Sequence, residues 1–200
     1  ARVREKALYM GLAGVVGVAL AAMLCLTGCS SMGYYWQSAV GHLNILQQAR
    51  PVSEWVNGSD APERVRAKLA LSQRIRDFAS RELGLPDNPS YRRYADLQRA
   101  AAVYNVTAAP PYSLELRTWC FPVTGCVGYR GYYDEAKARA EAASLEQQGY
   151  ETNVYPVTAY STLGLMNWAG GDPLLNTFIH YPEGELAPLV FHEPAHQRLY

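Results

Sequence analysis

Apolar and polar positions change their spacing several times along the chain, and each change predicts an element. Leu8 to Leu26 is a continuous apolar run behind Arg2, Arg4 and Lys6. Over residues 30–58 a linker gives way to a helix, with Tyr34, Tyr35, Trp36, Val40, Leu43 and Leu46 near helical spacing and a break at Asn57-Gly58. A second helix opens at Asp60-Ala-Pro-Glu63, with Asp60 as its cap and Pro62 in its first turn. It runs to about Leu83, places Leu71, Ile75 and Phe78 on one face, and is ended by Gly84, Pro86 and Pro89. Its basic residues Arg64, Arg66, Lys68, Arg74 and Arg76 are interspersed with acids, which reads as a solvated face, with contact to lipid headgroups as the other reading. After Pro89 the period shortens. Ala101 to Thr107 reads as a strand, and Leu114, Leu116, Thr118 and Cys120 alternate with polar neighbours as a half-buried strand does. Cys126 to Arg130 follows as a hairpin return. Tyr133 to Gln148 is an alanine-rich helix ended by Gly149. Tyr150 to Val157 returns to strand, Tyr160 to Leu165 is a candidate edge strand, and Asp172-Pro173 opens another helical turn. The last helix covers Pro182 to Tyr200. The order predicts an α+β fold: N-terminal helices, a mostly antiparallel sheet with one crossing helix, and a C-terminal helix.

Composition narrows the class. Hydrophobic residues make up 49% and charged ones 18%, which is globular material. The 18 basic and 18 acidic residues cancel, so the concentrated basic surface of a nucleic-acid binder is missing. The basic start, the apolar run and Leu26-Thr27-Gly28-Cys29 read as a secretory signal over residues 1–28, ahead of a domain over 29–200. Leu-Thr-Gly-Cys resembles the lipobox of bacterial lipoproteins, in which Cys29 would carry the lipid. An uncleaved transmembrane anchor is the other reading, since the run is long enough to span a bilayer. Ser30 after the cysteine implies sorting to the outer membrane in Gram-negative lipoproteins, with the domain facing the periplasm. Cys120 and Cys126, six apart around Pro122 and Gly125, suit a disulfide in that oxidising compartment. Metal binding by the pair is the rival, and it lacks nearby partners in sequence.

The chemistry concentrates in Val190-Phe-His-Glu-Pro-Ala-His-Gln197. On a helix His192 and His196 lie one turn apart on one face, as two ligands of a tetrahedral zinc would. Glu193 between them is placed to take a proton from a zinc-bound water. Two ordinary helix histidines are the alternative. His42 and His180 fit no ligand spacing and read as structural. Two features weigh against a finished site. A zinc peptidase needs a third protein ligand, and Gln197 to Tyr200 offer none. Pro194 also removes a helix hydrogen bond and crowds the carbonyl of Val190, as does Pro188 earlier unless the helix starts there. The chain, which also lacks a starting Met, is therefore expected to be truncated, with the frame continuing past Tyr200 to supply an acidic ligand on a helix.

Several stretches together carry a resemblance. They are Leu-Thr-Gly-Cys29, Tyr-Tyr-Trp-Gln at 34–37, Ala-Arg-Pro at 49–51, Trp-Cys-Phe-Pro-Val-Thr-Gly-Cys-Val-Gly-Tyr-Arg-Gly-Tyr at 119–132, Tyr-Ser-Thr-Leu-Gly at 160–164, Asp-Pro-Leu-Leu at 172–175 and the histidine motif. The whole chain resembles the zinc aminopeptidase lipoproteins of Gram-negative bacteria. The resemblance implies one zinc ion on His192 and His196, Glu193 as catalytic base, a glutamate as third ligand as in gluzincins, and a peptide substrate. That family usually has Leu where this chain has Pro194. In zincins generally a strand edge near the zinc helix binds the substrate backbone, which implies Tyr160, Ser161, Thr162, Leu163 and Gly164 here; an ordinary strand is the other reading. Tyr200 could stabilise an oxyanion or simply pack. The rival function is a non-catalytic envelope lipoprotein that keeps the peptidase fold for binding or assembly.

Overall fold

The computed structural model describes residues 32–121, 125–159, 161–162 and 167–199, without the side chains of 169, 193, 194 and 196–199. Residues 32–40 are helical and belong to one compact unit; residues 41–200 form a second, described below. Among the described residues no helix is long and apolar enough to cross a membrane. The apolar run, the signal and Cys29 lie outside them.

The second unit is α+β. Helix α1 (41–48) is followed by a two-residue strand β1 (Arg50–Pro51) and a short α2 (Val52–Asn57). The predicted continuous helix to Asn57 is thus cut in two. Pro51 cannot donate a helical hydrogen bond, and Arg93 donates to the carbonyls of Leu46 and Ala49, which closes α1 from outside. Leu43 and Leu46, expected on one face, separate: Leu43 is exposed, and Ile45 joins Leu46 in the interior.

Helix α3 (Glu63–Arg81) starts after Pro62, which makes no side-chain cap. Asp60 does not cap it; its carboxylate takes Arg50 at 3.0 Å instead. The buried face is Val65, Leu69, Ser72, Arg76 and Ala79, not the predicted Leu71, Ile75 and Phe78. Phe78 stays 48% exposed, whereas Arg76 is fully buried. Burial of the arginine is tolerated because loop carbonyls surround it. It donates to Pro86 at 2.6 Å and to Asn88 and Ser90 at 3.3 Å, and also to the Ser80 hydroxyl. Its expected place on a solvated face is therefore corrected.

The strands form three small sheets. In the first, β2 (Arg93–Ala95) pairs antiparallel with β1 and parallel with β8 (Leu174–Leu175). In the second, β3 (Val103–Ala109) runs antiparallel to β6 (Arg130–Tyr132) and to β7 (Glu151–Val157), the latter pairing from Val103↔Val157 to Ala109↔Glu151. Helix α4 (Glu135–Gln147), capped by Asp134, crosses this sheet and buries Ala138, Ala142 and Leu145. Gly149 ends the turn at φ 87°. The third is a hairpin of β4 (Trp119–Phe121) and β5 (Gly125–Val127), in which Cys120 faces Cys126 and the two form a disulfide.

Two predicted elements differ. The alternation over 114–118 is not a strand. Pro110, Pro111 and Tyr112 at φ 60° interrupt the chain after β3; the Arg117 amide returns to the Ala108 carbonyl at 2.8 Å, but no ladder forms over 114–118, and Leu114 stays exposed. Asp172-Pro173 opens no helix either. The Asp172 carbonyl accepts the Tyr91 amide at 2.7 Å, and Leu174–Leu175 continue as β8.

The main core joins Ile45, Val52, Leu69, Tyr94, Leu174 and Phe178 with Leu186 and Val190 of the last helix. Each such side chain stabilises the fold by about 1.5–3 kcal/mol when buried. Helix α5 (Glu183–Leu199) is therefore built into the same core as the strands and helices before it.

Candidate active site

Helix α5 begins after Pro182, whose carbonyl accepts the amides of Glu185 and Leu186 at 3.0 and 2.9 Å. Glu183 and Glu185 lie in its first turn, where the helix dipole favours acids. Leu186 and Val190 face inward with no exposure, and Phe191 meets Phe78 at 6.3 Å between ring centres. The helix does not start at Pro188. Both Pro188 and Pro194 lie inside it, and its backbone is unbroken to Leu199. A proline inside a helix costs about 3 kcal/mol. Tertiary burial of Leu186 and Val190 is of the size needed to offset one of them.

His192 stands on the exposed side of α5, two positions past buried Val190. His196 follows one helical turn later, about 6 Å along the axis by helix geometry. The side chains of Glu193 and His196, and the whole of Tyr200, lie outside the described residues. Among the described residues no three His, Cys, Asp or Glu side chains converge as metal ligands. The backbone thus presents two histidine positions at ligand spacing on a helix anchored by the core.

Of the predicted substrate segment, Ser161 and Thr162 are described; Tyr160, Leu163 and Gly164 lie outside the described residues. Ser161 and Thr162 are not in a strand. The Thr162 amide, which a ladder would need, goes to the Asp172 carboxylate at 2.9 Å. The Thr162 hydroxyl also donates to Asp172 at 2.9 Å, and that of Ser161 at 3.2 Å. Asp172 is only 1% exposed, and these donors make its burial tolerable. Its own amide goes to the Ser90 hydroxyl, which in turn donates to Asn167. Gly171, at φ 67°, lets the chain pass here: a Cβ would lie 2.5 Å from the Ser90 nitrogen. Sequence reading missed this clamp, because its members are scattered along the chain and share no local spacing.

His42 is buried near the same carboxylate. Burial pushes its imidazole below the ordinary 6.5, and the charge of Asp172 partly opposes this. The unfolded chain therefore takes up this proton first as pH falls. Stability from the neutral ring is complete above about pH 6.5 and declines below it. Urea midpoints are expected to drop from about pH 7 to about pH 5, and His42→Gln to flatten that dependence. An unchanged slope in the variant would assign the pH dependence to other groups.

The profile of one protein family spans residues 33–200, which takes in every element of the second unit. The chain belongs to the Aminopep family. That family is described as "Putative aminopeptidase". Searches of curated proteins and of solved structures give no match. In this Aminopep chain the histidine helix, the Asp172 clamp and the disulfide hairpin all fall within the family match, so all three are parts of the family's domain rather than of an appended segment.

Proposed function

We propose that the chain is a zinc-dependent aminopeptidase, anchored through a lipid on Cys29 and facing the periplasm of a Gram-negative envelope. The observation that carries the proposal is the unbroken helix Glu183–Leu199, which presents His192 and His196 one turn apart in a member of an aminopeptidase family. The two imidazoles would supply two of the three protein ligands that a catalytic zinc requires. Zinc held there would lower the pKa of a bound water and polarise the scissile carbonyl. Glu193, beside the first of the two histidines, would serve as the general base and hold the proton that the leaving amine later needs. Leu186 and Val190 fix the helix against the core, so the ligands are positioned before substrate arrives.

Full-length protein is expected to carry one zinc per chain, and His192→Ala to lose it while the far-ultraviolet circular dichroism spectrum is unchanged. His192 is exposed, so its replacement leaves the core intact. A folded, zinc-free wild-type protein would overturn the proposal and favour a binding role on the same fold.

A further inference from the structure

One side of α3 is cationic and faces no acid of its own helix. Its acids are engaged elsewhere: Glu63 is paired with Arg66, and Asp77 with Arg92 at 2.7 Å. Arg64, Lys68 and Arg74 remain, and they line a cavity of about 330 Å³ between α3 and the start of α5. Ala67, Ala70 and Leu71 supply its apolar lining, and Glu183 is the acid among its lining residues. Among the described residues Arg64 and Arg74 make no hydrogen bond or ion pair, while Lys68 donates to the Tyr181 carbonyl at 3.0 Å. The same stripe continues to Phe78, and Leu83 follows beyond the helix; the two are 48% and 46% exposed.

Unpaired guanidiniums beside an apolar lining suit an anion that carries an apolar body. Phosphate is one of the anions that a guanidinium fork holds with two parallel hydrogen bonds. Basic residues interleaved with exposed Leu and Phe along one helix side are also the pattern of a surface that lies on a bilayer. The chain adds a reason for such a surface to be near. Cys29, the lipid-bearing residue of the proposed function, is only a dozen positions from Gly41 along the chain. The pocket would not obstruct the histidines. Glu183 and His192 are about two and a half helical turns apart, which puts them on opposite sides of α5.

We propose that the pocket of Arg64, Lys68 and Arg74 binds the phosphate of an anionic phospholipid and lays this side of the domain on the membrane surface. The inference uses the lipid-anchored part of the proposed function for proximity and is independent of zinc. The intact mass of the mature protein checks the lipid on Cys29 separately.

The test uses the full chain with Leu83→Cys, outside the pocket, carrying an environment-sensitive fluorophore, mixed with vesicles of phosphatidylcholine alone or with added phosphatidylglycerol. With phosphatidylglycerol the emission is expected to shift to the blue, and quenching by an aqueous ion to fall about tenfold. Arg64→Glu with Arg74→Glu is expected to abolish both changes, and Arg64→Lys with Arg74→Lys to keep most of them. Both arginines are exposed, so folding is not at stake. Equal signals on the two vesicle types would overturn the proposal. So would protection by inorganic phosphate alone that cancels the phosphatidylglycerol effect, since that would mark a site for a soluble phosphate. A protein without lipid on Cys29 that still responds to phosphatidylglycerol through these arginines would support the pocket and remove only the tether.

Discussion

Glu193→Gln is expected to keep zinc and to lower peptide hydrolysis by about 10²–10⁴-fold, the range for loss of a general base. The amide is nearly the same size as the carboxylate and can still hydrogen-bond to water, but it cannot accept the proton. On the proposed reading Glu193 is not a ligand, so metal content should match wild type, whereas His192→Ala loses both metal and activity. The two variants separate holding the ion from using it. Hydrolysis that survives Glu193→Gln at near wild-type rate would place the base elsewhere and defeat the proposed mechanism. A panel of aminoacyl p-nitroanilides that differ in their N-terminal side chain reads the rate.

Arg76→Met is expected to destabilise the fold by about 3 kcal/mol, the largest stability effect of any single change proposed. Arg76 sits within α3 with no exposure, and its guanidinium serves the carbonyls of Pro86, Asn88 and Ser90. Methionine fills a similar volume but leaves these acceptors without their donor, and an unmet buried acceptor costs about 1–3 kcal/mol. Burial already works against the charged form here and pushes the pKa down, with Arg92 adding repulsion and Asp87 and Asp77 opposing. The network around the guanidinium is what makes the site tolerable. Arg76→Lys should recover only part of the loss, since an ammonium cannot reach carbonyls on several sides at once. The urea midpoint measures both. A midpoint within experimental error of wild type for Arg76→Met would mean that water replaces the guanidinium at no cost.

What was legible in the sequence follows from where the information sits. Helix α4 was readable because its alanine-rich run and the glycine after it are local. The strands over 103–109 and 151–157 were readable for the same reason. The His192–His196 spacing is local too, and it needs only a helix to become a shared face. The buried side of α3 was not readable. Periodicity favours Leu71, Ile75 and Phe78, and nothing near Arg76 announces that carbonyls from residues 86–90 will surround it. The alternation over 114–118 failed for a related reason: a period-2 pattern predicts a strand only if a neighbour exists to pair with. The Asp172 clamp lay furthest from view, because its partners come from residues 42, 90, 161 and 162.

The contacts through Ser90 have a mechanical consequence. Arg76 holds the Ser90 carbonyl, the Ser90 hydroxyl holds the Asp172 amide, and the Asp172 carboxylate holds Ser161 and Thr162. Load applied to the 161–162 segment is thereby passed through one buried carboxylate and one turn into the middle of α3. The segment, the turn at 89–91 and the loop from 84 to 88 are thus expected to open together, although they are far apart along the chain, and native-state hydrogen exchange reads this. The stiffness of the candidate substrate segment is therefore set as much by a buried arginine on α3 as by anything in the segment itself.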